Sequence, residues 1–316
     1  ETALRRRALQ GGLETLYARE ETDALSMLRG MGFSRRMIDS FFKPFFAGVF
    51  FEPDLQVSSR AFDFVFRAFA LGDTALPARG MAEIPTQLAA RLPRESIRLT
   101  ARVRQLLDGQ VVLASGERLR ARAVVIATEG RSAARLLGRP ELPATRGTTC
   151  FYFAADRAPV SGRELVLYGE GRGLINSLLG PSNLSDVYAP AGLHLVAVNL
   201  FGAGRDPTEL EPPLRRELSD WFGNWALGWE RLAVYRLPEA LPNQSPPVSY
   251  PGDRDGRIGE RLWVCGELVA APSIQWALYS GGRAGASVAA ALRGGRAGSP
   301  PQFPPTNPAA SANASR

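Results

Sequence analysis

Apolar positions recur at helical spacing through the first 47 residues: Leu4, Ala8, Leu13, Leu16 and Tyr17, then Ala24, Leu25 and Leu28. Asp23 and Ser34 stand where new helices begin, since a short side-chain oxygen ahead of an apolar run accepts from the first free N–H groups. Residues 41–51 then hold six phenylalanines in eleven positions. Rings of that size dominate packing, so the run reads first as core. Its second reading is the wall of an apolar substrate cavity or a membrane-surface patch. Phe62, Val65, Phe66 and Phe69 predict a helix over 59–70. Another is expected over 82–92, after the break at Leu76-Pro77-Ala78-Arg79-Gly80-Met81.

The period changes near residue 97. Residues 97–99, 103–107 and 111–113 read as strands, with turns at Asp108-Gly109 and Ser115-Gly116. The continuous apolar run 123–128 has the pattern of a strand buried on both faces of a parallel sheet. Glu129-Gly130 ends it, and Ser132 is expected to cap a short helix reaching Leu137-Gly138. Strands are expected over 148–154, 165–167 and 193–201. A helix carrying Trp221, Phe222 and Trp225 is expected over 209–227, then a loop over 242–251. The Pro-, Ala-, Ser- and Asn-rich residues 295–316 predict a disordered tail.

Composition changes this picture little. The 316 residues, 45% hydrophobic and 22% charged, suit one large or two ordinary globular domains. No apolar run approaches the ~20 residues of a membrane-spanning helix. The chain starts at Glu1 with no leader pattern, which predicts a fragment or a processed product. The net charge of +7 comes almost wholly from arginine, in short clusters far apart in sequence. No nucleic-acid motif accompanies it, so nucleic acid is not an expected partner. Cys150 and Cys265 give neither a disulfide framework nor metal-ligand spacing. The single histidine, His194, excludes a multi-histidine metal site and reads as a strand residue with one hydrogen bond.

The candidate chemistry lies in residues 262–292. Residues 262–265 read as a buried strand, and Gly266-Glu267 as the turn at its C-terminal end, where open α/β sheets place ligands. A helix is expected from about Ile274, its free N–H groups and positive dipole end suited to an electron-rich atom. Gly281, Gly282 and Gly285 would let it lie close to a sheet or a cofactor.

Gly266-Glu267, Pro272-Ser273-Ile274 and Ala277-Leu278-Tyr279-Ser280-Gly281 together are similar to the C-terminal signature of the flavin-containing amine oxidase superfamily. That superfamily includes phytoene desaturases and protoporphyrinogen oxidases. Upstream, 76–81, Val103 and 124–128 resemble its middle FAD-domain block. The resemblance implies an α/β fold of mixed α+β character. An incomplete FAD/NAD(P)-binding Rossmann-like domain would be interleaved with a substrate domain of mixed sheet and helices. The expected parts are 1–75 (helical, substrate domain), 76–140 (middle FAD block), 141–255 (substrate sheet and helix) and 256–294 (C-terminal FAD block).

The resemblance also implies FAD as cofactor, held by Val103 at the adenine end and by Gly266, Glu267, Ser273, Ile274, Gln275 and Ala277 towards the flavin. The implied reaction is hydride removal from a small apolar organic substrate, isoprenoid-, porphyrin- or lipid-like, to the flavin, in a plastid or bacterial setting. No catalytic side chain is singled out. The sequence departs from the family pattern twice. It lacks the G-x-G-x-x-G phosphate loop, since Gly202-Ala203-Gly204-Arg205-Asp206-Pro207 and Gly169-Glu170-Gly171-Arg172-Gly173 read as loops. It also has Trp276 where the family has glycine. The alternative expectation is a non-catalytic flavoprotein-like fold that binds an apolar ligand or a partner.

Overall fold

The computed structural model describes residues 2–107, 109–139, 144–170, 173–252 and 254–294. In chain order the helices are α1 (Thr2–Leu9), α2 (Leu13–Tyr17), α3 (Ala24–Gly30), α4 (Arg35–Met37), α5 (Lys43–Phe50), α6 (Ser59–Leu71), α7 (Glu83–Ala89), α8 (Gly130–Leu136), α9 (Pro207–Phe222) and α10 (Ile274–Leu292). A π-helical turn, Ile38–Phe42, joins α4 to α5. The strands are β1 (Val103–Leu107), β2 (Gln110–Leu113), β3 (Arg118–Arg120), β4 (Val124–Ile126), β5 (Thr145–Ala155), β6 (Val166–Leu167), β7 (Ile175–Leu179), β8 (His194–Phe201), β9 (Glu230–Pro242) and β10 (Leu262–Val264). They fall into two compact units, Glu1–Leu99 with Pro143–Tyr250 and Thr100–Leu142 with Pro251–Arg316. Residues 76–99, assigned from the sequence to the middle FAD block, belong to the first unit.

The first unit has two cores. The N-terminal helices start where their caps require: Asp23 accepts from the Ser26 N–H at 2.8 Å, and Ser34 from the Met37 N–H at 3.2 Å. Phe42, Phe46, Phe50 and Phe62 are buried together with Leu4, Leu28, Ile38 and Leu55. The Phe-rich run is therefore largely core, although Phe41 stays 41% exposed. A buried carboxylate, Asp63 of α6, ties down the chain start. Arg7 and Arg19 each place a guanidinium nitrogen 2.9 Å from it.

The second core lies under a five-stranded antiparallel sheet of order β6-β7-β8-β5-β9. Period-two alternation puts Phe151, Phe153, Val196 and Val198 on one face, packed against Leu210, Leu214 and Leu218 of α9. Asp206 caps α9 and Pro207 opens it, so the Gly202–Pro207 segment is a loop and helix entry, as read from the sequence. The Gly169–Gly173 segment lies partly outside the described residues. Trp221 and Phe222 of α9, and Trp225 just beyond it, are partly buried against this core beside Trp229. Strands β7 and β9 escaped prediction. β7 carries polar Asn176 and Ser177 at its centre, and β9 is charged and half-exposed, so neither shows a clean apolar pattern.

The second unit holds an antiparallel meander, β1-β2-β3, and a parallel pair, β4 and β10, in register Leu262↔Val124 to Val264↔Ile126. Ile126, Ala133, Val264 and Val269 form its buried cluster, and Leu113, Trp263, Trp276 and Ala284 are buried outside it. Strand β4 is shorter than the expected 123–128, and Val125 is 41% exposed. Among the described residues β4 pairs with β10 alone. Two further expectations need correction. Residues 97–99 form no strand; a 3₁₀ turn over Arg94–Ser96 precedes them, and the chain turns at Thr100 with φ +55°. Glu129 rather than Ser132 caps α8, because its longer side chain reaches the Ser132 N–H at 3.1 Å. Asp108 and the expected tail, 295–316, lie outside the described residues.

Candidate functional site

Both parallel strands of the second unit end in turns that lead to helices. After β4 the chain passes Thr128 and Glu129 into α8; after β10 it passes Gly266 and Glu267 towards α10. Ligands gather at this end of parallel strands because helix N-termini point free N–H groups there. Gly266 adopts φ +90°, a conformation that glycine takes without strain. Its carbonyl accepts from Val269 and Ala270, closing the turn. Its N–H donates to Ser280 Oγ at 2.9 Å, and that hydroxyl donates back to the Ala277 carbonyl at 3.2 Å. The serine of the Ala-x-x-Ser-Gly element therefore clamps the turn to α10.

The sequence-predicted site residues sort into two groups. Glu267 lies beside α8, where its Oε1 accepts from the Gly130 N–H at 2.6 Å. Its other carboxylate oxygen has no hydrogen-bond partner among the described residues. Ser273 is the N-cap of α10, its Oγ accepting from the Trp276 N–H at 3.2 Å. Ile274, Gln275 and Ala277, on the first turn of that helix, are exposed. Val103, at the start of β1, lines a groove of about 560 Å³ with Arg102, Arg104, Thr128, Ser132 and Arg135. An ideal Cβ on Gly266 would stand 4.0 Å from the Thr128 carbonyl, so groove and turn adjoin.

Trp276 is buried and meets the Tyr279 ring edge-on, with centroids 5.3 Å apart. The tyrosine hydroxyl donates to the Gly252 carbonyl. The bulky residue at the family's glycine position is thus absorbed into packing, and the outer side of the first turn stays open. Gly281, Gly282 and Gly285 do not mediate a close approach within the described residues. A Cβ on any of them would meet nothing within 4 Å.

Several residues of the site escaped sequence reading. Trp263 Nε1 donates to Ser287 Oγ, which donates to Asp255, so β10, α10 and the preceding loop are pinned together. Ser280 and Ser287 are seven residues apart, two helical turns on one face, and that spacing was the available signal. The arginines of the groove carried none, because Arg102 precedes β1 and Arg104 lies in it while Arg135 comes from α8. Burial pushes the Cys265 thiol above its ordinary value, which keeps it a neutral packing group. His194 opens β8; its Nδ1 is buried without a partner among the described residues, not hydrogen-bonded as expected. Among the described residues no cluster of His, Cys, Asp and Glu could hold a metal.

The sequence matches the family described as flavin containing amine oxidoreductase over residues 11–286. The chain belongs to this family. Solved structures agree in fold. An oxidoreductase from Methanosarcina mazei superposes with TM-score 0.64 at 14% identity, over 84% of this chain and 68% of that one. A putrescine oxidase variant gives 0.67 at 14% identity, over 92% and 74%. Cyclohexylamine oxidase from Brevibacterium oxydans gives 0.60 at 17% identity, over 92% and 73%. At such identities the likeness is one of fold. A comparison with curated proteins finds no significant match.

Proposed function

We propose that this chain forms part of an FAD-dependent oxidoreductase that removes hydride from an apolar organic substrate. The observation that carries the reading is the adjoining of the Val103 groove, the Gly266-Glu267 turn and the open first turn of α10. In this reading Val103 takes the adenine end of FAD. The second carboxylate oxygen of Glu267 accepts from a cofactor hydroxyl. Gly266 keeps the turn close, while Ser273, Ile274, Gln275 and Ala277 present the positive end of α10 to the flavin. Arg102 and Arg104 add positive charge at the groove, which suits a dinucleotide. Bound FAD would supply the hydride acceptor; the chain's own groups would bind, orient and polarise.

The apolar substrate class rests on the sheet of the first unit. The face turned away from α9 carries Cys150, Tyr152, Ala197 and Tyr235. Tyr152 and Tyr235 meet edge-on at 5.8 Å. Burial, with Cys150 beside it, pushes the Tyr152 hydroxyl up to about 12, so it stays protonated and can donate a hydrogen bond at neutral pH. A mostly apolar face with a few hydroxyls recognises a largely apolar molecule bearing a polar end.

The test is titration of the purified chain with FAD, read by the flavin absorbance bands and by retention of colour on desalting. Saturable binding is expected, weakened at least about tenfold by Val103→Trp, which fills the groove. A colourless, FAD-indifferent protein would overturn the reading. It would favour a non-catalytic member of the family, a role that one observation supports: the Gly130 N–H, which a phosphate would otherwise take, is already held by Glu267.

A further inference from the structure

The net charge of +7 is not spread evenly over the chain. The first unit holds 23 basic and 23 acidic residues and the second 15 and 8, so the whole excess resides in the second. Part of it lines the Val103 groove as Arg102, Arg104 and Arg135. Another part gathers in a second groove of the same unit, of about 380 Å³, at the opposite end of the parallel strands. Arg122 stands two residues ahead of β4 and Arg261 immediately ahead of β10, and the Val124 N–H donates to the Arg261 carbonyl at 2.9 Å. The Gly266 turn follows the other end of β10. The 19 residues of α10, spanning ~28 Å at the rise of an α-helix, lead from that turn to Ala291 and Leu292, which line the second groove.

Three arginines line this groove, Arg122, Arg257 and Arg261, with Glu260 as the one carboxylate among the described lining residues. None of the three forms an ion pair with a described carboxylate, Glu260 included. Arg257 is held by its own surroundings. Its backbone pairs with Trp263, its N–H donates to Asp255 Oδ1 at 3.0 Å, and its guanidinium donates to the Gly259 and Glu260 carbonyls at 3.1 and 3.2 Å. The same guanidinium lies over the buried Trp263 ring, 5.5 Å from its centroid, and that ring is fixed by Ser287. Its Nη1 has no partner among the described residues. Arg122 donates to the Leu292 carbonyl at 3.3 Å, meeting the negative end of α10. Arg261 is exposed, and its side chain makes no hydrogen bond among the described residues. Where arginines serve the fold of this protein, a carboxylate pairs them, as Asp63 pairs Arg7 and Arg19. Here three cations share one groove without such a partner.

We infer that this groove binds a small molecule through a diphosphate group, gripped by Arg122, Arg257 and Arg261. The planar guanidinium fork matches phosphate oxygens, and the bonds it makes there are charge-assisted. A diphosphate fits better than a lone carboxylate. The groove keeps a charge of +2 after Glu260 is counted, and its donors come from three separate segments, so they can hold oxygens of different phosphoryl groups. The Trp263 ring is buried beneath Arg257 and is not free to stack a base, so the diphosphate is the part recognised. This inference is independent of the flavin reading, because it uses none of the residues at the Val103 groove or the Gly266-Glu267 turn.

The test is isothermal titration calorimetry of the full chain, without added FAD, with pyrophosphate as the probe. Saturable binding is expected and should weaken severalfold as salt rises. Arg257→Gln and Arg261→Gln should each weaken it at least about tenfold. Glu260→Gln should tighten it severalfold, a direction that a folding defect does not produce. Circular dichroism controls for folding, and the exposed Arg261 serves if the Arg257 variant misfolds. Pyrophosphate also resembles the middle of a dinucleotide, so Arg102→Gln with Arg104→Gln is the control and should leave the affinity of this site unchanged. Binding lost in that control and kept in the Arg257 and Arg261 variants would put the anion in the Val103 groove and overturn the inference. No saturable binding at about millimolar pyrophosphate would overturn it too. So would citrate binding as tightly as pyrophosphate, since the groove would then answer to negative charge and not to phosphate.

Discussion

Ser280 lies fourteen residues beyond Gly266 in sequence, yet its hydroxyl is the partner of the glycine N–H. Removing it leaves that N–H, and the turn it holds, without a partner. An unpaired, partly buried donor costs about 1–3 kcal/mol. Ser280→Ala should lower unfolding stability by that order in urea titrations, whereas Ser280→Thr, which keeps the hydroxyl, should lose less. Equal loss in both variants would show that packing, not the hydrogen bond, sets the value of the position. At this scale the sequence was legible wherever the partner is a near neighbour: Asp23 and Ser34 cap as read, and Gly266 turns as read. It was silent on Glu267 reaching Gly130, 137 positions away, because nothing local in either residue encodes the other.

Among the elements, α6 shows how one buried charge organises three helices. Asp63 is 1% exposed and holds both Arg7 of α1 and Arg19, just after α2. Asp63→Ala would strand two guanidinium groups. Breaking a buried pair costs about 3–5 kcal/mol, and the lower end applies here because Arg7 remains partly solvated. Hydrogen exchange should show α1 and α2 losing protection before the five-stranded sheet does; uniform loss would count against this pinning role. Patterning at this scale read the existence of most elements but not their company. Phe41 and Phe42 are adjacent phenylalanines, yet one is exposed and the other buried, because neighbours on a helix point in different directions and only the packing decides which meets the core.

For the whole molecule, the two units differ in the core each can bury. The first holds two clusters built from large aromatic and aliphatic side chains. The second holds one cluster of four buried residues, one of them an alanine, with Trp263, Trp276 and Ala284 buried outside it. A core of that size contributes less stability against chain entropy than the two clusters of the first unit. Chemical denaturation should therefore be biphasic, the first phase exposing Trp263 and Trp276 of the second unit and the later phase Trp229 of the first. Added FAD should move the earlier midpoint upward if it binds the second unit, by the usual linkage of ligand binding to folding. A single transition with coincident probes would show that the units unfold together.

The sequence by itself determined the local chemistry: caps, turns, the strand–turn–helix run from Leu262 to Leu292, and the motif that places this chain in the flavin containing amine oxidoreductase family. These depend on residues within a few positions of one another, where backbone geometry and side-chain reach leave few alternatives. The tertiary structure alone decided what each motif residue faces. It turned Trp276 inward onto Tyr279, left Gly281, Gly282 and Gly285 open, and gave one oxygen of Glu267 to Gly130. It also set Val103 beside Thr128 and left Phe41 and Phe69 partly bare. The reason is physical: burial and pairing belong to whatever the fold brings within a few ångströms, and a linear pattern records periodicity but not neighbours.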